Sequence, residues 1–316
     1  MWFCGPVWGR PSSQAGGVHS MLRLLTFNVL QLPFISASPR GWRRAGWAVD
    51  AVRAVDPDVI VLNEAFALSA AGRLVSRLKR RGYHASPQIG ALRGRRGWDG
   101  EVPRVSPVRT LVGGGVRVLS RYPFRWCGQH LYSAVQRKTQ DALSAKGVAL
   151  VELDTPDGRV WLAATHLQAD EPPTPVSATR AVRLEQLKEL REFVARTAPP
   201  EAPVLLVGDL NVEYYAADAR GVPGDRGQDL DDAADAVGGR LEPDGDMHEH
   251  TFDSANNRFV ARSQPGYRNV LDYVGSINEN GLRPVPRITT CTVPLRPRRP
   301  ASDHFPVVAN VTLGPA

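Results

Sequence analysis

The chain has 316 residues, 42% of them hydrophobic, enough for a sizeable core in one large domain or two small ones. No apolar run reaches the roughly 18 residues that a transmembrane helix needs, and Cys4, Cys127 and Cys291 lack the CxxC spacing of a zinc site and read as unpaired thiols. The formal charge of +7 is uneven: residues 1–150 hold 22 Lys and Arg against 7 Asp and Glu, or +15, and the remainder 17 against 25, or −8. A basic half suits an anionic partner such as a nucleic acid or a phospholipid surface, or reflects arginine spread over solvated faces.

Residues 1–20 are rich in Gly, Pro and Ser and read as a disordered tail, with Met21 standing just before the first strand. The start shows no charged segment followed by an apolar one, so no signal peptide is readable. The chain is cytoplasmic on that reading, and secreted if the true N-terminus differs. There is no fixed-period repeat and no linker, so residues 21–316 are read as a single domain.

Leu22–Leu30 is a β-rich run that closes on Asn28. Trp42, Ala45, Val49 and Val52 carry helical spacing, with Trp42 and Trp47 read as core. Asp58–Glu64 is a second strand, ending in a carboxylate. Ser69–Arg81 reads as an amphipathic helix with Leu74 and Leu78 inward. Residues 82–110 are loop-like, and Leu111–Ser120 is a glycine-rich strand. Gly147–Leu153 and Arg159–His166 form a hairpin about Asp157-Gly158, its second strand ending in His166. Ser177 is expected to cap a helix reaching Thr197. Pro203–Asn211 is a buried strand ending in Gly-Asp209-Leu-Asn211. Asn269–Val274 is read as a strand with Asp272 inside it. Asp303-His304 precedes a last strand, which Pro306 can open. His84, His130, His248 and His250 read as surface or loop residues.

The polar residues at strand ends are thus Asn28, Glu64, His166, Asp209, Asn211, Asp272, Asp303 and His304. Singly, each has an ordinary reading as a turn, a cap or a surface charge. Together they point to one polar crevice on a sheet. Glu64, Asp303, Asn28 and nearby Asp209 offer oxygen ligands suited to Mg²⁺, and Mn²⁺ accepts the same set. Two histidines beside such an ion supply a base to activate water and a donor for a leaving oxygen. Amides such as Asn211 can donate to a developing phosphorane oxygen. No P-loop, GxGxxG or Ser-His-Asp elbow is present. The inventory therefore suits metal-assisted hydrolysis of a phosphoester.

At this point the sequence resembles the endonuclease/exonuclease/phosphatase superfamily, with its deoxyribonuclease-I-like fold. TFNV (26–29), NEAF (63–66), GGVRVLSRYP (114–123), ATHLQ (164–168), RLEQ (183–186), GDLN (208–211), LDYV (271–274) and SDHFPV (302–307) come in the family's order. Within it, Trp98-Asp99, Asp141–Gly147 (DALSAKG) and Thr251–Asn257 (TFDSANN) resemble stretches of bacterial neutral sphingomyelinases. The resemblance implies an α/β, four-layer sandwich of two packed mixed β-sheets flanked by helices, acting as a monomer on a phospholipid at a membrane surface. It implies Glu64 as the main Mg²⁺ ligand with Asn28 and Asp303, and His304 as general base polarised by Asp272. It implies Asp209, Asn211 and Asn28 near phosphate and attacking water, and His166 as donor to phosphate or leaving group.

The chain departs from the sphingomyelinase pattern twice. Ala67-Leu68 and Val112-Gly113 replace a peripheral metal site, and residues 275–300 lack the aromatic hairpin, carrying Arg283, Arg287, Arg296, Arg298 and Arg299 instead. A nuclease acting on DNA is the alternative of the same fold, although Val29–Pro33 does not resemble the Gly-Leu/Ile-Arg element of apurinic endonucleases.

Overall fold

Two six-stranded sheets face each other, with helices on both outer sides. The computed structural model describes residues 21–66, 68–91, 97–100, 111–215, 227–244, 250–279, 281–296 and 299–313. The expected tail, Cys4, Ala67, His248 and Arg298 lie outside them.

The first sheet holds β1 (Leu22–Gln31), β2 (Val59–Ala65), β3 (His84–Ala85), β4 (Arg117–Ser120), β13 (Arg287–Thr292) and β14 (Val307–Thr312), in the order β13-β14-β1-β2-β4-β3. The second holds β5 (Phe124–Leu131), β6 (Gly147–Thr155), β7 (Gly158–His166), β8 (Val204–Asp209), β9 (Gly239–Arg240) and β12 (Asp272–Ile277), in the order β5-β6-β7-β8-β12-β9. A short ribbon pairs β10 (Phe252–Asp253) with β11 (Arg268–Asn269). Both sheets are mixed: β1 with β2 and β7 with β8 run parallel, and the other named pairs are antiparallel. Val61, Val118, Leu162, Ala164, Leu205 and Val207 fill the space between the sheets, removed from water on both faces.

Helix α1 (Pro39–Val55) starts where Ser38 accepts from the Gly41 N–H and Pro39 presets the first turn, and it stops where Asp56 turns left-handed before Pro57. It packs with α2 (Ala71–Lys79) on the first sheet through Val49, Val52, Leu74 and Leu78. Helices α3 (Val176–Thr197) and α4 (Gln228–Val237) cover the second through Leu187, Leu190, Phe193 and Leu230. Helix α5 (Arg258–Ser263) follows the ribbon. The four layers are those the resemblance implied.

Several local expectations are corrected. Ser177 lies inside α3, because the cap is extended Pro175, two residues earlier. The strand expected over 111–120 is paired only over Arg117–Ser120, since Gly113 and Gly115 hold positive φ. The strand expected over 269–274 is two elements, and Asp272 begins β12 rather than sitting within it. Trp42 is exposed, lying under the Arg73 guanidinium, whereas Trp47 packs on the core. Neither Cys127 nor Cys291 forms a disulfide. Among the described residues, no helix is long and apolar enough to cross a membrane.

His130 is a clamp rather than a loop residue. Its Nε2 lies 3.0 Å from Glu189 of α3, which also accepts from the Ser133 and Ala134 backbone N–H groups. Burial opposes ionisation of Glu189, but His130 and these donors outweigh it and hold the carboxyl at about 2. A depressed carboxyl pKa stabilises the fold above its unfolded value and loses that contribution as pH falls through the folded one. Between pH 4.5 and about 2, wild type should lose roughly 1–2 kcal/mol relative to Glu189→Gln after solvent screening is allowed for. Thermal unfolding of both proteins across that range checks it.

Candidate active site

Strand register brings most of the expected residues together. Parallel pairing of β7 and β8 sets His166 beside Asp209, and antiparallel pairing of β8 and β12 sets Asp209 beside Asp272. The close β7–β8 approach requires Gly208, where φ is +146° and a Cβ would lie 1.9 Å from the Thr165 carbonyl oxygen. In the other sheet, Asn28 on β1 pairs with Asn63 on β2, one residue before Glu64. The register then slips, and Leu30 and Glu64 take left-handed φ values of 47° and 51°. Such a bulge re-aims side chains at the end of a strand. Asn211, with φ 51°, makes the corresponding turn after β8. Strained backbone of this kind costs about 1–3 kcal/mol per residue and concentrates at functional sites.

The side chains form one network across the sheets. The Asn28 amide donates to Glu64 Oε1 at 3.0 Å and to Asp209 Oδ2 at 2.9 Å. Asp209 Oδ2 lies 3.6 Å from His166 Nε2 and 3.7 Å from His304 Nε2. His304 Nδ1 is 2.7 Å from Asp272 Oδ2. Asn28, His166, Asp209, Asp272 and His304 are buried, whereas Glu64, Asp303 and Asn211 are half-buried and form the accessible rim. Asn211 donates its backbone N–H to Asp209 Oδ1 and one amide hydrogen to the Leu167 carbonyl.

Electrostatics sort these groups into distinct states. Burial, with Asp303 nearby, pushes the Glu64 carboxyl up to about 7. Burial pushes Asp209 up to about 6 against the opposing pull of His304. Burial favours neutral His304, but Asp272 and Asp209 outweigh it and hold the imidazole well above its usual value. His166 is driven well below its usual value by burial, Lys146 and His304, and is neutral at pH 7.

This set fits a hard divalent cation. Glu64 Oε2 and Asp272 Oδ1 are buried oxygens with no hydrogen-bond partner among the described residues. Half-buried Glu64 and Asp303 repel each other in the absence of a positive charge. Glu64, Asp303 and the Asn28 Oδ1 oxygen would hold Mg²⁺ or Mn²⁺. Asn28 turns its amide nitrogen to the two carboxylates, and its Oδ1 already accepts from the Leu30 N–H at 3.1 Å. Asp209, Asp272 and His304 also offer ligand atoms within 4.8 Å of one another. His304 Nδ1 is engaged by Asp272 there, so the Glu64 side suits the ion better.

The sphingomyelinase-like stretches hold this geometry. Thr251 Oγ1 accepts from the Leu271 and Asp272 N–H groups, at 2.9 and 3.3 Å. The Asn257 amide donates to the Ser302 and Asp303 carbonyls at 2.9 and 2.8 Å, fixing the segment that carries His304. Phe252 meets the His304 ring edge-on at 4.9 Å. Buried Lys146 pairs with Asp141 at 2.7 Å and donates to the Leu167 carbonyl, just after His166. Buried Arg183 binds the Gln168 carbonyl and Asp170, and Gln186 binds the Gln168 N–H. Lys146→Met would deprive Asp141 of its balancing charge, leaving it the Gln168 amide and the Ala169 N–H, and should cost about 3 kcal/mol, read as a lowered Tm. The same change removes a charge that depresses His166, so its imidazole titration should move upward in NMR.

Arg44 is a residue the sequence did not point to. It donates to the Leu30 and Ala301 carbonyls and to Ser36 Oγ, tying the end of β1 to the segment before His304. It stands among other α1 arginines, with no spacing to set it apart. Buried His250 beside Tyr215 was likewise read as a surface or loop residue.

Two facing mixed sheets, with a carboxylate–imidazole cluster at the ends of their central strands, define a hydrolase of the deoxyribonuclease-I-like class. The chain belongs to the endonuclease/exonuclease/phosphatase family, whose signature matches residues 25–304. It is 35% identical over 158 residues to a sphingomyelinase C of Listeria ivanovii, which covers 50% of this chain and 46% of that protein, less than half its length. It is 27% identical over 332 aligned positions to a sphingomyelinase C of Bacillus cereus, covering 98% and 95% of the two chains. The crystal structure of sphingomyelinase C from Streptomyces griseocarneus superposes with a TM-score of 0.73 at 26% identity, covering 92% of this chain and 99% of that one.

Proposed function

We propose that the chain is a Mg²⁺-dependent phosphodiesterase that hydrolyses sphingomyelin or a related choline phospholipid, releasing phosphocholine and leaving ceramide or diacylglycerol. The observation that carries this reading is the continuous network from half-buried Glu64 at the rim through buried Asn28 and Asp209 to His304 and Asp272. The relatives described as sphingomyelinases supply the substrate class.

Asp272 accepts from His304 Nδ1 and fixes the tautomer, and above the raised pKa of the ring, where Nε2 has lost its proton, Nε2 takes one from the attacking water. Asp209 and Asn28 position that water and the phosphate, and the free amide hydrogen of Asn211 faces the same purpose. Neutral His166 carries one N–H and donates it to a phosphate or leaving-group oxygen. The cation, held by Glu64, Asp303 and Asn28, supplies positive charge that balances the carboxylates and the substrate phosphate.

The test compares phosphocholine release from detergent-dispersed sphingomyelin with nicking of supercoiled plasmid, in Mg²⁺, beside His304→Ala. Phosphocholine release lost in the variant supports the reading. Plasmid nicking alone overturns the lipid substrate in favour of a nuclease.

A further inference from the structure

Strand direction separates the arginines that stand in place of an aromatic hairpin. β12 runs away from the active site, so residues 278–279 and 281–286 lie at the far end of the sheet, and β13 returns to place residues 293–296 and 299–306 at the site. Arg283 is 3% exposed and bound to the Ala198, Pro199 and Ala202 carbonyls, so it is structural. Exposed Arg296 and Arg299 remain beside the site, with no aromatic among them.

A different segment presents apolar side chains at that end. Phe34 and Ile35, in the loop between β1 and α1, are 66% and 74% exposed. Leu68, in the loop after β2, is 46% exposed, and its carbonyl accepts from the Phe34 N–H at 3.0 Å. The two loops are therefore one tip, standing six residues past Asn28 and four past Glu64. The tip is held in place: Ser36 N–H donates to the Leu32 carbonyl, Ala37 N–H to the Phe34 carbonyl, and Arg44 anchors Leu30 and Ser36 to Ala301. Behind it, exposed Trp42 lies under Arg73 at 4.1 Å, in a groove shared with Arg43, Arg77 and Arg299. Among the described residues, Asp50 is the one acidic side chain lining that groove.

Adjacent exposed Phe and Ile side chains on an ordered loop, backed by arginines, combine the two attractions of an interfacial anchor: apolar insertion below the headgroups and charge pairing with anionic lipid. We propose that the Phe34-Ile35-Leu68 tip, with Arg43, Arg73 and Arg299, docks this chain onto a bilayer carrying anionic lipid and so delivers the crevice to its substrate. The proposal rests on the phospholipase reading, and it replaces a hairpin with the two loops that follow the strands carrying Asn28 and Glu64. A nucleic acid would use the arginines but would leave Ile35 and Leu68 without a role.

The test is flotation with sphingomyelin-containing vesicles, with and without phosphatidylserine, in EDTA so that turnover does not contribute. The variants are Phe34→Asn with Ile35→Ser, asparagine being tolerant of the left-handed backbone at Phe34 (φ 59°), and Arg43→Gln with Arg73→Gln. The apolar pair should weaken binding by roughly tenfold or more. The arginine pair should weaken binding only to the anionic vesicles, by about fivefold per charge. Both variants should hydrolyse detergent-dispersed sphingomyelin as wild type does. Unchanged flotation of the Phe34/Ile35 variant overturns the proposal, as does wild-type protein that ignores both vesicles while binding a DNA oligonucleotide. Wild type that floats but releases no phosphocholine from the dispersed lipid refutes the enzymatic reading and leaves the docking surface standing.

Discussion

Replacing His304 with alanine is expected to lower kcat by about 10³-fold or more, with the fold intact. The general-base contribution alone is worth roughly 10²–10⁴. Removing the ring also leaves Asp272, buried at 2% exposure, without the 2.7 Å partner that balances its charge. Asp272→Asn should cause a loss of the same order, since the amide still meets Nδ1 but no longer fixes the tautomer, a change worth about 10⁴-fold in a serine-protease triad. The two variants differ in pH response. Asp272 is the main group holding the His304 pKa up, so its loss should move the acidic limb of the rate profile, where the base loses its proton, downward. Survival of near-wild-type turnover in His304→Ala would remove the residue from the reaction.

The second large effect is at Glu64. Glu64→Ala should abolish activity at millimolar Mg²⁺ and, independently, abolish stabilisation by the ion. In wild type without metal, a carboxyl raised from 4.5 to about 7 binds more protons in the folded state, so stability should fall as pH rises through that window. Adding Mg²⁺ should cancel that fall. An ion at 100 times its Kd stabilises the folded state by about 2.7 kcal/mol. Differential scanning of wild type at pH 5 and pH 8, with and without Mg²⁺, reads both effects. The alanine variant should show neither. A Tm that responds equally to Mg²⁺ in the two proteins would place the ion elsewhere, with the Asp209–Asp272–His304 group the next candidate.

Much of this site was legible because its chemistry sits where apolar runs stop. Glu64, His166, Asp209 and the Asp303-His304 pair each end or precede a run of buried, mostly apolar residues. What the sequence hid is pairing. Asp272 reads as a charge inside a strand, and only the register of β12 on β8 shows it to be the first residue, opposite Asp209. The Asn28–Asp209 contact spans 181 residues and follows from no local pattern. Thr251, Asn257, Lys146 and Gln186 were visible only as similarity, and the structure gives each a physical task on a backbone group. The Phe34-Ile35 tip was hidden for the opposite reason. Leu30-Gln-Leu-Pro-Phe-Ile35 is apolar enough to read as more core, and only the turn after the bulge shows it facing water.

Asn28 has a wider consequence. Its amide is a clasp between the layers, one hydrogen touching the carboxylate of each sheet. Catalytic geometry is therefore set by how the two sheets sit on one another, a distance fixed by Val61, Leu162, Ala164 and Val207, two to four residues back along the strands from Glu64, His166 and Asp209. A slightly oversized side chain in that filling would spread the layers by a few tenths of an ångström, a strain a well-packed core accommodates. The clasp has no such slack. The interior of this protein thus acts as the spacer of a calliper, and turnover is a finer gauge of its thickness than melting temperature.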